Sequence, residues 1–205
     1  MTTMHRTVIV AILLIVPATV MQGCQSLREF AALRLVDFAI DSVSDARLAG
    51  VEIERLRRYE DLSATDILRL STAVATQELP LRFRLNVAAS NPEENQVQAR
   101  LLRMDWTLLL EDRETIGGTI DENYVLPPGQ TTVIPLTIEL NLIDFFDRNL
   151  EDLVNLALSA AGQGGEATNV KLNARPTIDT PLGAMEYPRQ ITIVSRDVGS
   201  TRSSN

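Results

Sequence analysis

The chain has very little cysteine and histidine: Cys24 and His5 are the single examples in 205 residues. One cysteine cannot form an intramolecular disulfide. Both residues lie near the start of the chain. Loss of a leader peptide and modification of Cys24 would therefore leave a chain without histidine or free thiol. Ser-His-Asp and Cys-His catalysis and histidine-ligated zinc would then be excluded.

Lysine is almost absent, since Lys171 is the one lysine among 19 basic residues. Acidic residues number 27, and the formal net charge is −8. Affinity for nucleic acid depends on a basic surface that neutralises phosphates. We therefore expect no nucleic-acid partner. The arginine bias fits a GC-rich genome or a salt-adapted source, and net charge bears on solubility rather than on fold.

No apolar run approaches the roughly 20 residues that a transmembrane helix needs. Residues 8–16 form an apolar run of nine residues after His5 and Arg6, as in a secretory signal peptide. The segment ends at Met21-Gln22-Gly23-Cys24. This ending resembles the bacterial lipobox, with Gly23 before the cut and Met21 where leucine is usual. An uncleaved signal anchor with a chance cysteine is the alternative.

The lipobox resemblance implies a lipoprotein whose mature chain begins at Cys24. Acyl chains such as palmitate would then be attached to its thiol and amine. Several acyl chains attach a protein durably, whereas one chain gives marginal binding. Gln25 stands where an inner-membrane retention signal would have aspartate. We therefore expect a lipid-anchored protein at the periplasmic face of the outer membrane.

The clearest strand signal lies in residues 79–95. Its apolar residues alternate with polar ones, which is typical of a strand with one buried face. Asn91-Pro92 should end the strand, because proline lacks a backbone donor and fixes φ. The polar face includes Arg82 and Arg84, which we regard as a candidate contact face for a protein or lipid partner. The predicted inward residues are Leu79, Leu81, Phe83, Leu85 and Val87.

Similar patterns predict seven or eight strands, which is typical of a β-sandwich. A second long strand is expected over residues 97–111, with Leu102, Met104, Trp106, Leu108 and Leu110 inward. Trp106, the sole tryptophan, should anchor the core, and ligand stacking is the alternative. Gly117-Gly118 indicates a bulge or a close backbone approach, and Pro135 indicates an edge strand. The other strands are expected at residues 36–40, 51–53, 116–120, 131–142, 170–175 and 191–193.

Two helices are predicted beside the strands. Ser63 should cap the first, with Asp66 as its capping-box partner and Leu62 against Ile67. The second should follow residue 141, with Asn141 or Asp144 as its cap.

Carboxylates are numerous, but the sequence does not group them into a site. Glu111 and Asp112 fit a hairpin tip better than a general acid. Asp37 and Asp41 fit two outward side chains of a strand better than metal ligands. We therefore predict no catalytic, cofactor-binding or metal-binding residue.

The order of these features resembles the group 2 late embryogenesis abundant (LEA) family, also called the water-stress and hypersensitive-response (WHy) domain. A strand ends in Asn91-Pro92. It is followed by a strand with an aromatic residue, a glycine-containing strand, a Pro-Gly loop and an alternating strand. The resemblance covers about residues 35–195, and the motifs occupy 79–142. It implies an immunoglobulin-like or fibronectin-III-like antiparallel sandwich and no catalytic residues. Asn91 and Pro92 correspond to a structural motif of the family.

The expected organisation is a signal peptide over 1–23, a lipidated tether over 24–33, a sandwich over 34–196 and a disordered tail over 197–205. The expected function is a lipid-anchored, non-enzymatic stress-protective or binding module of the cell envelope, for desiccation or osmotic stress. The alternative is an accessory lipoprotein that docks on a partner complex or carries an apolar ligand.

Overall fold

A computed structural model describes residues 36–95, 98–163, 170–180 and 183–194. The predicted signal peptide, Gly23, Cys24, the tether and the tail over 197–205 lie outside the described residues. The described chain forms two antiparallel β-sheets and two α-helices. This confirms the predicted mainly β sandwich with packed helices.

The described elements are ten strands and two α-helices, with short 3-10 turns at Tyr59–Asp61 and Leu142–Asp144. In chain order they are β1 (Asp37–Leu48), β2 (Val51–Glu52), α1 (Ala64–Ala75), β3 (Pro80–Asn91), β4 (Ala99–Leu110), β5 (Arg113–Ile120), β6 (Tyr124–Leu126), β7 (Gln130–Asn141), α2 (Leu150–Ala160), β8 (Val170–Thr180), β9 (Gly183–Glu186) and β10 (Ile191–Val194).

One sheet has the strand order β2-β1-β3-β7, and the other has the order β10-β8-β4-β5. In the second sheet β6 also pairs with β4, and β9 pairs with β8. Thus β7 lies at one edge of the first sheet, and β5 lies at one edge of the second. Pro135 lies in β7, as the sequence predicts, because a proline at an edge removes no bond from the sheet interior. No helix in the described part of the chain is long and apolar enough to cross a bilayer.

The core lies between the two sheets and follows the alternation of β3 and β7. These strands pair along their whole length, with Leu85 opposite Leu136 and Phe83 opposite Ile138. Phe83 is 1% exposed, and its apolar neighbours on that face are as deeply buried. Full burial of such a side chain stabilises the fold by about 1.5–3 kcal/mol. The inward prediction for residues 79–87 is confirmed.

β1 is longer than the sequence predicts. Two β-bulges interrupt its alternation, so the sequence pattern stops before the strand ends. The pairing with β3 shifts between Ile40 and Ser42 and again between Ser44 and Arg47. Each extra residue moves the following side chains to the opposite face. Period-two alternation is therefore lost after Ile40, although the strand continues to Leu48. The predicted break at Ala49-Gly50 is confirmed as the turn into β2.

One inward prediction in β4 is wrong for the same reason. Leu102 is only partly buried, whereas Leu101 is fully buried. The pairing of β4 with β8 shifts between Leu101 and Arg103. Because of the bulge at Leu102, the residues of β4 before it lie on the opposite face from the one that a regular alternation predicts. Beyond it, Met104, Leu108 and Leu110 are buried as predicted.

α1 begins as the sequence predicts, with a capping box. The Ser63 side chain accepts a hydrogen bond from the Asp66 backbone N–H at 3.2 Å, and the Asp66 carboxylate accepts one from the Ser63 N–H at 3.3 Å. Leu70 is fully buried under the helix. α1 contacts α2. α2 also contacts β1 and the 3-10 turn at Tyr59–Asp61.

The predicted cap of α2 is wrong. Asn149 caps the helix, with its side chain accepting from the Asp152 N–H at 2.9 Å. Asn141 instead accepts from the Leu79 N–H at 2.8 Å and donates to the Gln77 carbonyl at 3.0 Å. It thereby joins the end of β7 to the segment that leads into β3. A residue that matches a helix cap in sequence is here a cross-strand clamp.

Candidate functional site

Trp106 lies at the edge of the core rather than at its centre. It is partly buried and packs against the core cluster, so the predicted core anchor is corrected to a boundary residue. Its cross-strand partner in β5 is Gly118. A Cβ atom at position 118 would lie 2.6 Å from Trp106 Cζ2, which is too close for any side chain. The glycine therefore lets the indole lie over the backbone of the edge strand.

The predicted bulge beside these glycines is also confirmed. The pairing of β4 with β5 shifts between Thr107 and Leu109, next to Gly117. A Cβ atom at position 117 would lie 2.9 Å from the Trp106 carbonyl oxygen. The bulge and the close backbone approach that the sequence predicts for Gly117-Gly118 therefore both occur here, because a side chain at either position would clash with Trp106.

A cleft of about 200 Å³ opens beside the Trp106 indole, at the edge strands of both sheets. We call it the Trp106 cleft. One wall comes from β4, β5, β6 and the turn between β5 and β6; the other comes from β7. Its lining residues are Trp106, Thr119, Ile120, Asp121, Glu122, Tyr124, Pro135, Leu136 and Thr137.

The two acids of the Trp106 cleft differ in their partners. Asp121 forms an ion pair with Arg103 at 3.2 Å, and Arg103 also pairs with Asp105 at 3.0 Å. These two carboxylates raise the pKa of Arg103. Glu122 instead accepts a hydrogen bond from the Tyr124 hydroxyl at 2.8 Å. It has no ion-pair partner among the described residues.

Tyr124 is an unusually weak acid in this environment. Burial, and then the hydrogen bond and charge of Glu122, raise the pKa of Tyr124 to about 12. A group exchanges protons efficiently when its pKa lies near the working pH. Tyr124 is therefore poorly suited to acid–base chemistry at neutral pH. The arrangement of Tyr124 and Glu122 suits binding by an aromatic ring and a carboxylate.

The Asn91-Pro92 ending of β3 forms a buried polar clamp. The Asn91 side chain is 1% exposed and donates a hydrogen bond to the Leu126 carbonyl oxygen at 2.7 Å. Asn95, also 1% exposed, donates to the Asn91 side-chain oxygen at 2.7 Å. The clamp fixes the turn after β3 to the end of β6. The motif therefore has a structural role here.

Arg82 and Arg84 lie exposed on the outer face of the first sheet, as predicted. Arg82 Nε lies 3.0 Å from a Glu139 carboxylate oxygen, and Arg84 pairs with Asp45 at 2.8 Å. Their positive charges are thus offset within the sheet. A partner would have to compete with these ion pairs, and the contact face stays a prediction.

The remaining acids singled out by the sequence do not converge. Glu111 and Asp112 form the tip of the β4–β5 hairpin, with φ of 49° and 61°. Glu111 pairs with Arg148, and Asp112 pairs with Lys171. No group of three metal-ligating side chains occurs within residues 36–95, 98–163, 170–180 and 183–194.

Sequence reasoning missed Glu122 and Tyr124. Tyr124 belongs to β6, which has three residues and is too short to show a period. The cleft also needs β7 from the other sheet, and this contact between sheet edges has no local signal. An aromatic residue two positions after an exposed acid was the one available hint.

These observations define a class: an antiparallel two-sheet β-sandwich with a small cleft where the edges of its sheets meet. No protein-family model matches the chain, and no curated protein matches its sequence. Several solved structures are similar at low identity, and three of them are described below. Similarities at these TM-scores do not assign a function.

The first is a protein from Archaeoglobus fulgidus, with 12% identity over 78% of this chain and 100% of that chain and a TM-score of 0.33. The second is a Bordetella pertussis protein provisionally named ApaA, with 13% identity over 78% and 94% and a TM-score of 0.34. The third is a protein provisionally assigned to the LEA group, with 14% identity over 86% and 84% and a TM-score of 0.36.

Proposed function

We propose that this protein is a lipid-anchored, non-enzymatic stress-protective or binding module of the cell envelope, which acts during desiccation or osmotic stress. Its anchor would be lipid on Cys24, and its position would be the periplasmic face of the outer membrane. The sandwich would stay folded beside the bilayer as water is withdrawn, and would shield or contact neighbouring surfaces.

The observation that carries this proposal is the pairing of charges on the outer faces of both sheets. Arg82 with Glu139 and Arg84 with Asp45 lie on one sheet, and Arg103 with Asp105 lies on the other. Ten ion pairs occur among the described residues. No side chain in them is less than 32% exposed.

Exposed ion pairs matter little in dilute solution, where each contributes about 0–1 kcal/mol. Their attraction grows as the surrounding dielectric constant falls. Drying lowers that constant and removes the water that solvates single charges. The charges that already have partners therefore lose less on drying than isolated charges would.

The family resemblance supports the same proposal. The motif over residues 79–142 predicts a strand, a turn, a strand with an aromatic, a glycine strand, a Pro-Gly loop and an alternating strand. The described elements β3 to β7 occur in that order. Asn91 clamps the turn that gives the motif its most specific residues.

The second candidate is an accessory lipoprotein that docks on a partner complex or carries an apolar ligand. The Trp106 cleft favours a ligand, but its two carboxylates suit a charged or polar ligand better than a wholly apolar one. Its volume of about 200 Å³ would admit only a small one, since pockets for drug-sized ligands measure about 300–1,000 Å³. The space between the sheets is filled by side chains such as Phe83 and Leu101.

Deletion of the gene, followed by drying and by high salt, tests the protective role. We expect survival to fall and to recover when the wild-type gene is restored. Complementation with an Arg82→Glu/Glu139→Arg exchange should also restore survival, because the ion pair is retained with its sign reversed. Unchanged survival of the deletion strain would contradict the proposal.

A pull-down tests the docking alternative. The full chain and an Arg82→Glu/Arg84→Glu variant would be compared as baits. If this face binds a partner, the wild-type bait should retain a protein that the variant loses. The Arg82→Glu/Glu139→Arg exchange is the matched control, because it preserves the pair and reverses its polarity. Equal recovery with all three baits would count against this face.

A further inference from the structure

The Trp106 cleft combines two aromatic side chains with an excess of negative charge. Trp106 and Tyr124 supply the rings, and Asp121 and Glu122 supply the carboxylates. None of the lining residues is lysine or arginine. A ligand in this cleft would therefore meet aromatic surface and carboxylate charge together, which favours a cation over an anion.

Glu122 is the carboxylate whose charge is not offset. The charge of Asp121 is shared with Arg103 at 3.2 Å, whereas Glu122 receives only the neutral Tyr124 hydroxyl at 2.8 Å. That hydrogen bond holds the carboxylate beside the Tyr124 ring.

The walls of the cleft favour a cation that is large, weakly hydrated and partly apolar. Ile120 and Leu136 contribute apolar surface beside the two rings. Aromatic faces attract quaternary ammonium groups, whose charge is spread over methyl groups. A divalent metal ion would need more oxygen ligands than two neighbouring carboxylates supply. The volume of about 200 Å³ also limits the bound group to a small one.

We propose that the Trp106 cleft binds a small quaternary ammonium group, with Trp106 and Tyr124 facing its methyl groups and Glu122 balancing its charge. The group could belong to a free cation or to a lipid headgroup. This site is independent of the protective role proposed above. A ligand that carries its own carboxylate next to the ammonium group should bind more weakly, because Glu122 repels it.

Fluorescence of the full chain in nonionic detergent tests the site, because Trp106 is the sole tryptophan of the chain. We expect a saturable change with choline in the millimolar range and a weaker response to glycine betaine. The uncharged isostere 3,3-dimethylbutan-1-ol should give no saturable change. An equal response to the isostere, or no saturation with choline, would overturn the proposal.

Two matched variants separate charge from shape. Glu122→Gln keeps the size of the side chain and should weaken choline binding about tenfold. Glu60→Gln makes the same change at an exposed carboxylate outside the cleft and should leave binding unchanged. Equal affinities of the two variants would overturn the assignment of Glu122.

Mixed micelles of phosphatidylcholine and the same detergent distinguish the two sources of the ligand. A response to choline alone supports a free cation, and a response to both choline and the mixed micelles supports a lipid headgroup. A response to the mixed micelles without any response to choline would show lipid contact of Trp106 instead, and would overturn the proposal.

Discussion

Asn91 and Asn95 are the buried polar side chains of the described residues, and both belong to the clamp after β3. A buried polar group costs free energy unless it is hydrogen-bonded. Asn91 satisfies this condition with the Leu126 carbonyl and the Asn95 side chain. The asparagine of the Asn-Pro motif is therefore explained by what it binds, and the proline by the strand that it ends.

We expect Asn91→Ala to lower the free energy of unfolding by about 2–4 kcal/mol, because it leaves the Leu126 carbonyl and the Asn95 amide without their partner. Urea unfolding measures the change. Ser90→Ala is the control, since Ser90 is the preceding residue and makes an exposed hydrogen bond with Thr131 at 2.8 Å. Its effect should stay within about 0.5 kcal/mol. Equal losses in both variants would contradict the clamp.

The raised pKa of Tyr124 predicts that the stability of the fold decreases at alkaline pH. Its pKa is raised from 10.0 to about 12, so the folded state favours the protonated phenol. This contribution to stability is fully present below pH 10 and is lost as the pH rises towards 12. Ultraviolet absorbance of tyrosinate should show an ionisation near pH 12 that Tyr124→Phe removes. Glu122→Gln should shift it to lower pH; an unchanged ionisation would argue against their contact.

At the scale of elements, α1 offers a local test, because its N-terminus rests on one side chain. Ser63→Ala removes the acceptor of the Asp66 N–H and should cost about 1 kcal/mol of unfolding free energy. Ser71→Ala changes the same residue type at an exposed position within the helix, and should be neutral or slightly stabilising. Thermal unfolding of the two variants decides the matter: the Ser63 variant should melt lower.

The sequence predicts the elements whose signals are local. β7 and the first half of β3 alternate without a break, and the capping box joins Ser63 to Asp66 only three residues later, so both are predictable. β1 beyond Ile40 and the facing of Leu102 are not, because bulges shift the register without a composition signal. The cap of α2 fails because Asn141 is used by a distant segment.

The candidate site was less predictable than the fold. Trp106 stands out as the sole tryptophan, but its partial burial depends on Gly118 in a neighbouring strand. Tyr124 lies in a three-residue strand, and Leu136 comes from the opposite sheet. A cleft made where the edges of two sheets meet needs the packing angle between them, which periodicity does not contain.

At the scale of the whole molecule, the proposed function depends on where the sandwich would be anchored. Ten residues from Cys24 to residue 33 would form the tether. Fully extended, such a segment spans about 35 Å. The sandwich would therefore remain close to the bilayer. Loss of water would then affect the membrane surface and the protein surface at the same time. The proposed protective role would thus require the anchor as well as the fold.

Lipidation of Cys24 is the prediction on which the localisation rests. The N-terminal peptide of the wild-type protein should begin at Cys24 and carry the mass of acyl chains, because Gly23-Cys24 matches the cleavage position of a lipobox. Cys24→Ser should lose the acyl mass, since serine offers no thiol. Met21→Leu is the informative control: it restores the usual residue and should be processed at least as well as the wild type. Mass spectrometry that finds residues 1–23 retained and an unmodified Cys24 would remove the lipid anchor, and the proposed role at the outer membrane with it.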